Sequence, residues 1–197
     1  MKRMRNASKI ATIILLILFL VSCNNYVGGN KSHTLLVISK ITGKTAAGDT
    51  ADFTQSDVYN EVDLTVVADT ATAALTAKLI EPLPPTAGPS YQQNIMLSRY
   101  IVSFTLPDGT GVPGVDVPLP FEGSLSSIIE VDSSVDVSFV IVTEAAKADA
   151  GGPLFALRAT ANVIQARARV TFYGKDMAGN DVQATGDISI FFKNYKN

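Results

Sequence analysis

The chain has 197 residues, 47% of them hydrophobic and 17% charged, with 16 basic residues against 18 acidic for a formal net charge of −2. That length suits one domain or two small ones, and the apolar content excludes a disordered chain. A charge near zero offers no electrostatic case for nucleic acid, and a single cysteine excludes a disulfide framework or a cysteine-ligated structural zinc.

Met1–Lys9 carries Lys2, Arg3, Arg5 and Lys9 with no acid, and Ile10–Val21 follows with Thr12 as its one polar residue. A membrane span needs about 20 apolar residues, so this stretch is too short for one. A basic segment ahead of an apolar core of about 7–15 residues has the shape of a secretory signal. Leu20-Val21-Ser22-Cys23, which closes that core, resembles the lipobox of bacterial lipoproteins. The resemblance implies a signal peptide over 1–22, cleaved before Cys23, and a diacylglycerol on the Cys23 sulfur with further acylation of the new amino terminus. It also implies attachment to a membrane of the cell envelope. Asn24, where an aspartate would favour the inner membrane, favours the outer one. The alternative is an ordinary signal cut nearby, with Cys23 left as a free thiol.

With the signal gone, 12 bases stand against 18 acids, for a net charge of −6. Attachment is then expected from lipid rather than from a basic patch. Residues 23–32, polar and containing Gly28 and Gly29, read as the lipidated cysteine and a tether. Residues 33–197 read as a single domain large enough for one core.

The period from there on is two, the strand period. Expected strands are Thr34–Ile41, Val62–Val67, Ala73–Ile80, Ile95–Leu106, Ser124–Val131, Val135–Thr143, Asn162–Tyr173 and Val182–Phe192. In the seventh, Ile164, Ala166, Ala168, Val170 and Phe172 share one face, opposite Gln165, Arg167, Arg169 and Thr171. One apolar and one charged face belong to an antiparallel sheet with a wet side. Glu144–Ala150 reads as at most a short helix, stopped by Gly151-Gly152-Pro153.

Gly174–Asp181 supplies the Asp, Gly and Asn of a hairpin turn. Tyr173-Gly-Lys-Asp-Met-Ala-Gly-Asn180 resembles the last hairpin of many bacterial immunoglobulin-like domains. The run Arg99–Phe104 with Val112–Phe121 is similar to one shared by a group of uncharacterised bacterial lipoproteins, for which no activity is implied. Eight strands separated by turn-rich segments point to an all-β, antiparallel, immunoglobulin-like sandwich. The Pro-rich stretches 81–90 and 107–121 cannot be central strands and read as inter-sheet connections.

No nucleophile-elbow, zincin or P-loop motif is present, and His33 stands at the end of the tether. The expected protein is therefore not an enzyme and carries no cofactor. Asp176, Asn180 and Asp181 surround a glycine turn and are weak candidates for calcium, with Asp49, Asp52 and Asp57 weaker still. Arg167 and Arg169 either pair with acids on neighbouring strands or form a basic face for an acidic partner or polyanionic glycan. Val117, Leu119 and Phe121 in loop 107–121 either plug the sandwich or meet a partner. Tyr59, Tyr91 and Tyr173 are the side chains on which a sugar could stack. The expected function is a lipid-anchored, non-catalytic binding or structural module that contacts another envelope protein. A carbohydrate- or calcium-binding surface module is the alternative, ahead of a carboxylate-dependent hydrolase.

Overall fold

The computed structural model describes residues 32–81 and 88–195. Cys23, the signal segment and the tether up to Lys31 lie outside them, as does most of the Pro-rich stretch 81–90. The described residues form nine strands: β1 (Thr34–Lys44), β2 (Thr50–Ala51), β3 (Phe53–Asp57), β4 (Asp69–Leu79), β5 (Ile95–Thr105), β6 (Phe121–Ile129), β7 (Ser134–Val142), β8 (Ile164–Asp176) and β9 (Asp181–Lys193). One short helix, α1 (Glu144–Ala148), follows β7.

The strands make two sheets, in the orders β2-β1-β4-β7 and β3-β9-β8-β5-β6. Their facing apolar sides close one core, so the molecule is an all-β sandwich. Pairing is antiparallel throughout except that β3 runs parallel to β9, Phe53 opposite Ser189. β2 and β3, separated only by Asp52, form the edges of opposite sheets, so the chain crosses between the sheets there.

The alternation read in β8 holds in space. Ala166, Ala168, Val170 and Phe172 are buried, while Gln165, Arg167 and Arg169 are exposed. In β5, Tyr100, Val102 and Phe104 point inward as the pattern requires, and so do Ile95 and Leu97. The two sets differ in parity because a bulge lies between Leu97 and Arg99 against both neighbours. One extra residue there returns both halves of the strand to the same face.

Val62–Val67 is not a strand. Residues 61–64 form a turn, bridged at Asn60 and Thr65, and Val62 and Leu64 face solvent. The side chain of Asn60 accepts from the Val62 and Asp63 amides, an Asx turn that competes with any ladder. A strand exists instead over Phe53–Asp57, where Thr54 and Ser56 are buried and the aromatic Phe53 packs on Phe191.

At the centre, Tyr100 meets Phe121, Phe139 and Phe172 with ring centroids 5.3–6.4 Å apart. Its hydroxyl accepts from the Val140 amide at 3.1 Å, which satisfies a donor of edge strand β7. The ring crosses β6 at Gly123, where a Cβ would lie 2.3 Å from Tyr100 Cζ. Only glycine leaves that space.

Candidate functional site

The registers place the connections in two groups. At one end lie the starts of β1, β5 and β9 and the ends of β4 and β8, with Thr34 opposite Leu79 and Ile95 opposite Asp176. The chain enters there: the Thr34 amide donates to Ser32 Oγ, and Thr34 Oγ1 donates to the Gln93 carbonyl. At the other end, Asp69 lies opposite Val142 and Ile164 opposite Phe192. That far end is built by three long segments, 58–68, 106–120 and 143–163.

A lysine ties two of these together. The Thr143 hydroxyl accepts from the Ala146 amide and so starts α1, which places Lys147 on its inner side. Lys147 is 1% exposed. Its ammonium donates to the carbonyls of Asp57 at 2.8 Å and Val67 at 2.7 Å, and pairs with Asp69 Oδ2 at 2.9 Å. Two hydrogen bonds and an opposite charge thus compensate the burial of the ammonium. The two carbonyls flank loop 58–68, so one side chain holds the loop at both feet. Arg158 continues the brace: it donates to the Lys147 carbonyl at 2.7 Å and lies over the rings of Tyr59 and Phe155. Asn194 reaches both the Arg158 carbonyl and Glu61. Beside Lys147, Lys44, Thr54, Asn60 and Asp69 help line a polar cleft of about 270 Å³.

Burial pushes the Asp69 carboxyl above its ordinary value of 3.8, and the Lys147 ammonium opposes that push without cancelling it. The pair is a structural brace rather than a strong net stabiliser, although removing one partner would strand the other.

The brace presents an apolar loop tip. Val62 is 82% exposed and Leu64 72%. Leu64 has φ +54°, a left-handed conformation that costs a β-carbon-bearing residue roughly 1 kcal/mol. Asn60 Nδ2 donates to Asp63 Oδ2 at 2.6 Å, and the Asn60 and Thr65 backbones bond reciprocally, so the tip is held in one shape. Loop 106–120 is likewise self-tied, with the Val112 amide on Asp116 Oδ2 and the Gly114 amide on the Val117 carbonyl. It exposes Val112 and Val115.

The side chains singled out from sequence separate into different fates. Val117 is fully buried and plugs the core, so it presents nothing to a partner. Phe121 is half-buried against Tyr100, while Leu119 is exposed beside Gly114. Arg169 forms a forked pair with Asp187 at 3.1 and 3.4 Å, as the pairing alternative had it. Arg167 is exposed opposite Ser189 and Thr105, with no ion-pair partner among the described residues. Other cations on this face are also matched, Arg99 with Glu122 and Lys175 with Asp181, which leaves little of a basic face.

Asp176 is 5% exposed and accepts from the amides of Ala178 and Asn180 and from the Asn180 side chain. Burial raises its pKa, and the Asn180 donors and the Ser32 hydroxyl more than offset that, leaving it below the ordinary 3.8. Its oxygens therefore face N–H donors, and Asp181 points to Lys175 instead, so the three residues do not form an oxygen cage. Asp52 pairs with Lys40, and Asp57 accepts from the Tyr195 amide. Arg158 covers Tyr59 and Arg99 covers Tyr173, leaving Tyr91 as the exposed one of the three.

Sequence reasoning missed Lys147, Asp69 and the loop they hold. A lone lysine among alanines at 144–148 and an Asn three residues before an Asp at 60–63 were the available signals. No protein-family model and no curated protein matches the chain.

Proposed function

We propose that the protein is a bacterial lipoprotein, anchored through Cys23 in the cell envelope, with the outer membrane favoured. Its sandwich works as a non-catalytic binding module. The supporting observation is the division between the two ends. The chain enters the sandwich at Ser32–Thr34, nine residues after Cys23, whereas the braced loop with Val62 and Leu64 lies at the opposite end. The loop therefore lies on the side of the sandwich remote from the point where the chain enters, free of the chain's own attachment. The Lys147 ammonium is held by the Asp57 and Val67 carbonyls and by Asp69, which favours a role in shaping the surface over one in chemistry.

Cys23→Ala tests the anchor. The variant is expected to accumulate as unlipidated, uncleaved precursor without acyl label. Normal cleavage and normal acyl labelling would overturn the lipoprotein reading.

A further inference from the structure

We propose that loop 58–68 is the docking element of this module, and that its occupant is another envelope protein with an apolar pocket rimmed by basic side chains. The proposal deepens the binding role above and rests on it for the partner's location.

Three observations carry it. First, Val62 and Leu64 stand out in solvent with no packing role, on a loop held by Lys147 at both feet and by Asn60 within. A rigid tip binds without losing much conformational freedom. Second, Leu64 combines two local penalties, an exposed apolar side chain and a positive φ. Glycine would relieve both, so nothing in the isolated fold calls for a leucine there. Third, the three loop segments of this end are predominantly acidic, with Lys44 and Lys193 as the bases on the adjoining strands. The three far-end segments hold the acids Glu61, Asp63, Asp108, Asp116, Glu144 and Asp149. Their two bases, Lys147 and Arg158, are both spent on the brace.

That charge selects among occupants. An anionic lipid surface would be repelled, and a second copy would set acid against acid. A basic-rimmed protein pocket is complementary to these acidic loop segments, with the leucine as its central anchor.

The test is a photo-crosslinking residue, p-benzoylphenylalanine, placed at position 62 of the full chain in the producing bacterium, with position 35 at the opposite end as control. Leu35 is comparably open at 51% exposure. The expected result is a protein adduct from position 62 and not from 35, with a mass different from two copies of the chain. Leu64→Gly should lower its yield at least tenfold while raising the thermal midpoint of the purified protein. Asp63→Asn, which keeps an oxygen for Asn60, should lower the yield several-fold. An adduct with the mass of a dimer, an adduct with lipid, no adduct, or a yield unchanged by Leu64→Gly would each overturn the proposal. Fractionation of the same cells reports on the anchor separately, since a soluble chain can still give or fail to give the adduct.

Discussion

The two ends of the sandwich each withdraw an aspartate from solvent, Asp176 fully and Asp69 in part, and the two carboxylates are held in opposite ways. At the entry end, Asp176 sits within its own hairpin and collects peptide and amide N–H donors from residues two and four positions on. At the far end, Asp69 meets one ammonium, from a residue 78 positions away in the chain, in surroundings that desolvate it. The hairpin donors draw the Asp176 pKa down, whereas burial draws the Asp69 pKa up. Local structure supplies most of the solution to the first problem, with Gly179 at φ +93° completing the turn and the Ser32 hydroxyl adding a donor from the chain entry. The second has no local solution and needs the tertiary brace.

The largest expected effect breaks the brace. Lys147→Met removes the donor shared by Asp57, Val67 and Asp69 and leaves a partly buried carboxylate unpaired. The loss should be about 3–5 kcal/mol in urea unfolding. Hydrogen exchange should then accelerate across 58–68 more than across the 177–180 turn. Equal acceleration at both ends would show that the far end has no separate brace.

Asp176→Ala should cost about 2–3 kcal/mol, since several donors to one charged acceptor lose it together. The pH dependence then sharpens the contrast. A lowered folded pKa means that the Asp176 contribution is present above the unfolded value of 3.8 and is lost as pH falls through the folded one. A raised folded pKa gives Asp69 the opposite sign: its contribution is full below 3.8 and is lost as pH rises through the folded value. Stability measured from pH 2 to 7 should therefore flatten on its acid side in Asp176→Asn. In Asp69→Asn the acid-side fall should steepen relative to the parent. The same change of slope in both variants would refute the assignment.

The smallest expected effect is a gain. Leu64→Gly should stabilise the fold by about 0.5–1 kcal/mol, through relief of the left-handed leucine. The thermal midpoint reads this directly, and a lower midpoint would mean that Leu64 packs in solution and is not a presented side chain.

Much of this architecture was legible in the chain. The alternation in Asn162–Tyr173 and Val182–Phe192 located the central pair β8–β9, because a half-buried antiparallel strand imposes period two on its own residues. The hairpin between them was readable for the same reason, since Asp176, Gly179 and Asn180 act within a few positions. Val62–Val67 misled because β-branched residues look alike whether they pack or protrude, and the Asx turn at Asn60 outweighs their strand preference. Val117 and Leu119, two positions apart with similar side chains, ended in the core and in solvent. Nothing in their spacing separates them, because the loop returns on itself through Gly114 and Asp116.

What the sequence by itself determined is the set of properties that act over short range: the strand period, the turns, the short helix and the resemblance at Leu20–Cys23 to a lipidation signal. What only the tertiary structure decided is which polar groups meet. Lys147 and Asp69 carry no mark of partnership along the chain, and the exposed tip they support became visible only once Asp57 and Val67 were brought to the same ammonium. The physical reason is the cost of burying a charge. Folding must collect every acceptor a buried lysine needs, and those acceptors come from wherever the topology delivers them.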